Sequence, residues 1–317
     1  MEYKSLRKVF ADQVIRHARK DSAIVMLHVD CKEATGIDGF VSEFPERVYN
    51  LGIGEQNAVS TAAGMALSGL IPVFNSYAMF LWGRAFDQIR NNVCLTNANV
   101  KLVGSHLGLD VGVDGVTHQV VEDVALARTL PNMEIISPAD EVEMRGAVTY
   151  MLEQKGPVYL RTGKTKVGEF LSQDYEFKIG APVVLREGKD VALLSHGLML
   201  ERAVKAAETL ESEGVSVKVV NISSIKPLDK KLLLEMLKGM AGVVTVEDHS
   251  IYGGLGSLAA EILSENMPMP LLRIGVPDLF GESASGDELY TKFSMNVKHI
   301  AAAARKVMQG KTGDELF

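Results

Sequence analysis

Short apolar runs alternate with longer stretches of helical periodicity along nearly the whole chain. That alternation constrains the fold more than any other feature. In the first half the runs read as strands at 23–29, 47–51, 71–75, 100–105, 134–137 and 158–161, separated by helical patterns at 5–20, 55–68, 81–96, 119–130 and 140–153. Strands that alternate with helices of this length pair in parallel and form a layered α/β domain. The second half repeats the scheme, with strands at 191–195, 216–221, 242–246 and 271–274 and helices at 200–213, 231–238, 255–265, 287–293 and 296–308. Between 162 and 187 the pattern weakens into charges, glycines and Pro182, which read as a connection. The expected fold class is therefore α/β: two layered domains, 1–165 and 188–317, joined by a linker at 166–187, each with a mostly parallel sheet flanked by helices.

A chain of 317 residues has room for two such domains. A net charge of −7 argues against a nucleic-acid partner, because phosphate backbones need a basic surface. It leaves room for a small basic pocket that takes a phosphorylated metabolite. Cys31 and Cys94 have no metal-ligand spacing and read as reduced, buried thiols of a cytoplasmic protein. The first residues lack the apolar segment of a signal peptide, and no run of about 18 apolar residues suggests a membrane span.

Three constellations carry possible chemistry. In the first, Gly52-Ile53-Gly54-Glu55-Gln56-Asn57 places a carboxylate at the start of an Ala- and Gly-rich helix, just after a strand. A Glu in a helix's first turn is favoured by the helix dipole alone. Its functional alternative is a carboxyl group whose pKa is raised by the small apolar neighbours of 58–67, so that it can share a proton. In the second, Tyr77 and Phe80 follow a strand at helical spacing, fit either for core packing or for stacking on a flat heterocycle. They lead into Arg84-Ala85-Phe86-Asp87-Gln88-Ile89-Arg90, where Arg84 shares a helix face with Gln88, and Asp87 with Arg90, as surface pairs or an interface. In the third, His106 stands at a strand's C-terminal end and Asp114-Gly115-Val116-Thr117-His118 lies beyond a Gly-rich loop. Two histidines and an aspartate suit hydrogen bonding to sugar hydroxyls, proton transfer or phosphate contact. The long His106–His118 separation and the lack of a nearby Cys weigh against zinc. Arg161, at the end of the last strand of this half, is either a surface Arg or an anion ligand.

Taken in order, Gly-Glu-Gln-Asn, Ser-Tyr-x-x-Phe, Arg-Ala-Phe-Asp-Gln-Ile-Arg, Gly-Ser-His and Asp-Gly-x-Thr-His-Gln resemble the transketolase family. Glu122-Asp123, Arg128, Pro131-Asn132 and Pro138-Ala139-Asp140 extend the likeness. In the second half Ile225-Lys226-Pro227-Leu228-Asp229, Val246-Glu247-Asp248-His249 and Gly253-Gly254-Leu255-Gly256 resemble that family's C-terminal domain. The resemblance covers almost the whole chain. It implies a thiamine-diphosphate-dependent transferase in which Glu55 activates the cofactor, Tyr77 and Phe80 pack on its aminopyrimidine, and Asp30 lies near it. It further implies that His106 and His118 contact the sugars and act in catalysis, that Asp114 takes a substrate hydroxyl, and that Arg7, His106 and Arg161 hold the phosphate end of a phosphorylated sugar.

The family binds diphosphate through a metal on a Gly-Asp-Gly motif, and no such triplet occurs here. The resemblance is thus to the C-terminal section of a split transketolase. It implies a separate N-terminal section that carries the diphosphate domain and its Mg²⁺ or Ca²⁺, with no metal ligand in this chain and an assembly of two copies of each subunit. Ala34 stands where the family often has a phosphate-contacting Ser, and Val113 where an acidic residue is common, so the acceptor sugar is open. Alternatives are a specialised enzyme for an unusual or sulfonated sugar, 1-deoxyxylulose-phosphate synthase, a 2-oxoacid dehydrogenase beta chain, and a non-catalytic paralogue that keeps the fold.

Overall fold

A computed structural model describes residues 3–310. The described residues divide into two compact bodies: 3–107 with 126–177, and 108–125 with 178–310. The segment 108–125 thus belongs by its contacts to the second body, although its neighbours in sequence on both sides belong to the first.

In the first body the strands are β1 (Ile24–His28), β2 (Val48–Asn50), β3 (Ile71–Tyr77), β4 (Lys101–Ser105), β5 (Glu134–Ile136) and β6 (Val158–Thr162). They lie in the order β5-β6-β4-β3-β1-β2, every pairing parallel. The inner strands β1, β4 and β6 are buried at every position. A parallel sheet covered by helices on both faces needs such continuous apolar runs, which is why Ile24-Val25-Met26-Leu27 and Val158-Tyr159-Leu160 show no alternation. The principal helices are α1 (Leu6–Ala18), α4 (Glu55–Leu67), α5 (Ala78–Gln88) and α7 (Glu141–Glu153), with short α2 (Lys32–Thr35), α3 (Asp38–Glu43) and α6 (Asp123–Arg128). Asp140 caps α7, its side chain accepting from Glu143 N at 2.9 Å.

The structure departs from the expected elements in identifiable places. The helix expected at 81–96 starts at Ala78, kinks at Ala85 and ends in a π turn from Ile89 to Cys94. The one expected at 119–130 is α6 alone, because residues 108–122 are committed elsewhere. Helices α2 and α3, of four and six residues, are too short to show a period.

In the second body β7 (Val183–Arg186), β8 (Val191–Ser195), β9 (Val217–Asn221), β11 (Val243–Ser250) and β12 (Leu271–Val276) lie in the order β12-β11-β8-β9-β7. All pair in parallel except β7, an antiparallel edge strand within the stretch read as connection. A further short strand, β10, spans Ser224–Lys226. Helices α8 (Leu200–Glu211), α9 (Lys230–Leu237), α10 (Leu255–Asn266), α11 (Gly286–Lys292) and α12 (Val297–Met308) complete the body. β11 runs on past the expected end at Val246 through Glu247, Asp248 and His249, which are buried and polar. Among the described residues no helix is long and apolar enough to cross a membrane.

Candidate functional site

The chain order of the first sheet reverses about β1. From β1 the chain goes to β2 on one side, then returns to β3 on the other and continues to β4. In open α/β sheets a crevice forms at such a reversal, outside the C-terminal ends of the strands. A cavity of about 300 Å³ lies at that position. It is lined by Val29, Asp30 and Cys31 after β1, by Ser76 and Tyr77 at the end of β3, by Phe80 and Arg84 of α5, and by Ile53 and Glu55 at the start of α4. The structure therefore brings together four of the singled-out residues, Asp30, Glu55, Tyr77 and Phe80.

Glu55 is the first residue of α4 and 3% exposed. Its surroundings differ from the apolar ones expected of 58–67. Arg84 Nη1 donates to Oε1 at 3.0 Å and to Oε2 at 2.9 Å, so a guanidinium faces the carboxylate. The same guanidinium lies 4.1 Å from the centroid of the Phe80 ring, within cation–π range. Arg84 itself is half-exposed, and with Glu55 and Ile53 it also walls a second cavity of about 440 Å³ beside Gln56 and Asn57. Sequence reasoning placed Arg84 on a helix surface with Gln88. Its actual partner is 29 residues away, a pairing that periodicity does not reveal.

Tyr77 stacks on His106, with ring centroids 4.1 Å apart and planes at 27°, and meets Phe80 at 5.8 Å. His106 is 3% exposed, has φ +60°, and has Nδ1 2.9 Å from Ser105 Oγ. A non-glycine residue at positive φ carries strain, which concentrates at functional sites. Asp30 also has a positive φ, of 54°, and Asn50 Nδ2 donates to its Oδ1 at 2.6 Å.

The remaining residues are not among those that line this cavity. Arg7 donates to the carbonyl of Ala34 and, at 3.3 Å, to that of Lys164. Arg161 is buried on β6, with Nη1 3.4 Å from Ser137 Oγ. Asp114 and His118 sit on the segment that packs with the second body, His118 Nδ1 lying 3.0 Å from Thr117 Oγ1.

The cavity's chemistry suits an aminopyrimidine. One wall is a buried carboxylate and another an aromatic pair. Ser76 Oγ is fully buried without a hydrogen-bond partner, a group that a polar heterocycle would satisfy. Cys31 and Ser76, not singled out from sequence, complete the lining; burial, the largest effect, pushes the Cys31 thiol up from its ordinary value. Among the described residues no three His, Cys, Asp or Glu side chains converge as a metal site.

Comparison with known proteins agrees with this geometry. The family profile described as "Transketolase, pyrimidine binding domain" matches residues 2–169, and "Transketolase, C-terminal domain" matches 180–300. The 6-deoxy-6-sulfo-D-fructose transketolase subunit of Clostridium sp. (strain MSTE9) is 38% identical over 306 residues, covering 96% of this chain and 95% of the relative. An apulose-4-phosphate transketolase subunit of Actinobacillus succinogenes is 36% identical, over 89% and 91% of the two chains. A solved structure described as "Split gene transketolase, inactive beta4 tetramer" superposes with a TM-score of 0.90 at 40% identity, covering 96% of this chain and 98% of its own. By fold, cavity and these matches alike, the chain belongs to the transketolase family.

Proposed function

We propose that the chain is the pyrimidine-binding and C-terminal subunit of a two-chain, thiamine-diphosphate-dependent transketolase. It moves a two-carbon ketol unit from a ketose phosphate to an aldose phosphate. The observation that carries this reading is the buried Glu55 carboxylate lining the β1/β3 crevice together with Tyr77 and Phe80. When bound, thiamine diphosphate supplies the nucleophilic carbon for ketol transfer. Glu55 holds a proton between its carboxylate oxygen and the ring nitrogen of the aminopyrimidine. Tyr77 and Phe80 orient that ring and exclude water from it, while Asp30 lines the same cavity. Arg84 fixes the Glu55 carboxylate in place through both oxygens.

Substrate recognition is assigned to His106, Asp114 and His118 for the sugar hydroxyls and to Arg7, His106 and Arg161 for the phosphate. His106 and His118 also move protons in the reaction. A second chain carries the diphosphate-binding domain and Mg²⁺ or Ca²⁺, in an assembly of two copies of each. The relatives named for a sulfonated ketose and for apulose 4-phosphate support a reading in which the sugar pair is a specialised one. Ala34 and Val113 are the positions in this chain most suited to set that choice.

Glu55→Gln tests the assignment. In a mixture with the N-terminal section it should reduce ketol transfer by about 10²–10⁴-fold, the range for loss of a general acid–base group, while thermal stability stays near wild type. Turnover equal to wild type would make this chain a scaffold rather than a catalytic subunit.

A further inference from the structure

The segment 108–125 leaves the end of β4 and returns to α6, yet three consecutive residues of β11 hold it to the second body. Asp248 accepts from the amides of Leu109 at 2.8 Å and Asp110 at 3.1 Å. His249 Nε2 accepts from Ala125 N at 3.2 Å, while its Nδ1 lies 2.7 Å from the Ser250 carbonyl, which fixes the tautomer with hydrogen on Nδ1. Ser250 N donates to Val121 O at 2.7 Å. Gln119 Nε2 ties the loop to itself and to its surroundings, donating to Gly112 O at 3.1 Å and Glu282 O at 2.9 Å.

Asp248 is the centre of this arrangement. It is 3% exposed and takes a third donor, Tyr290 Oη, at 2.7 Å. Gly108 has φ +46°, and a Cβ there would come within 2.2 Å of the Asp248 carboxyl group. The carboxylate therefore packs against bare backbone, with no room for a side chain between them. A buried carboxylate is expensive unless its lone pairs are filled, and here backbone and phenol donors fill them.

The groups that face Asp248 come from every packed element. Asp110 lies on the loop itself, and Tyr290 on α11. Arg202 of α8 lies over the Tyr290 ring at 4.2 Å. Glu247 is spent on the amides of Leu255 at 2.7 Å and Gly256 at 2.8 Å, and His249 on Ala125.

We infer that Asp248 is the positioning residue for the loop that carries Asp114 and His118, and that uptake of a proton by its buried carboxyl group favours the closed first turn. The substrate part of this inference rests on the roles proposed above for Asp114 and His118. Closure buries this carboxyl group beside Asp110 and against the Gly108 backbone, so it binds its proton more tightly in the closed loop than in the open one, and ionisation opposes closure. Burial, the largest cause, pushes Asp248 up to about 6; the Leu109 amide and the Tyr290 hydroxyl pull it down, and the Asp110 charge pushes it up.

Hydrogen exchange of the Leu109 and Asp110 amides in the full chain, corrected for intrinsic rate from pH 5 to 8, reads the closure directly. Protection should stay level above the transition and rise below it by up to about tenfold per pH unit, as one linked proton held more tightly in the closed loop requires. Tyr290→Phe removes a donor to the carboxylate and should move the midpoint to higher pH. Asp248→Asn should leave both amides poorly protected at every pH. Flat wild-type protection, or a midpoint that Tyr290→Phe leaves in place, overturns the inference. In the mixture with the N-terminal section, Asp248→Asn should raise KM for the acceptor sugar severalfold more than it lowers kcat. Unchanged constants would overturn the positioning role and leave the two-chain reading intact. Loss of ketol transfer in the wild-type mixture would instead overturn that reading, while the exchange profile still decides the loop's closure.

Discussion

Arg84 reaches across from α5 to bind both oxygens of Glu55, at 2.9 and 3.0 Å, and its guanidinium also lies over Phe80. The pair makes one wall shared by two cavities. A carboxylate at 3% exposure needs such a partner, because the helix dipole alone offsets little of the cost of burying a charge. Arg84→Met should destabilise the chain by about 1–3 kcal/mol, the cost of leaving a buried acceptor unsatisfied. Adding Glu55→Gln should recover part of that loss. A double-mutant cycle by denaturant unfolding measures the coupling, and additive losses would show that the pair contributes nothing.

Lys101 offers a pH test in the same body. It is fully buried at the start of β4, and its Nζ donates to the carbonyls of Gln154 at 2.7 Å and Gly156 at 2.8 Å. Burial pushes its ammonium down to about 7, against a smaller upward effect of Glu134. Between pH 7 and the ordinary lysine value the unfolded chain binds more protons than the folded one, so stability should rise with pH across that window. The slope contributed is at most about 1.4 kcal/mol per pH unit. In Lys101→Met this contribution should vanish; an unchanged slope from chemical unfolding at a series of pH values would contradict it.

At Gly104, β4 packs tightly against the start of the helix that carries Phe80. A Cβ there would lie 2.6 Å from Tyr159 Oη and 2.9 Å from Ala78 Cβ, next to Tyr77. Gly104→Ala should cost about 1–3 kcal/mol through overpacking. Because Ala78 begins α5, the displacement should also weaken ketol transfer in the reconstituted enzyme. A variant with wild-type stability and activity would show that the neighbours yield freely.

Much of this was legible in the sequence, for physical reasons. Strands buried on both faces must be unbroken apolar runs, so the inner strands of both sheets could be read directly. Glu55, Asp30, Tyr77 and Phe80 all stand at strand ends or helix starts that the pattern fixes, and they do line one cavity. The rest depends on pairings distant in sequence. Arg84 reads as a surface charge until Glu55 is seen beneath it. Lys101 interrupts no pattern because its stem is apolar and its ammonium ends on carbonyls. Residues 247–249 fall outside the strand read at 242–246 because buried polar residues in a strand depend on donors elsewhere, including those of residues 109, 110 and 125. The membership of 108–125 in the second body follows from those same bonds and from no local signal.

If the chain works as one half of a thiamine enzyme, its transfer activity needs the other half. Ketol transfer from xylulose 5-phosphate to ribose 5-phosphate, with thiamine diphosphate and Mg²⁺, should be assayed for this chain alone and for its mixture with the N-terminal section from the same source. A parallel arm should offer a sulfonated ketose as donor. Transfer is expected in the mixture with at least one donor, and none from this chain alone. Transfer by the chain alone would contradict the division of the active site between two chains, and silence of the mixture with every donor would contradict the assignment as a transketolase.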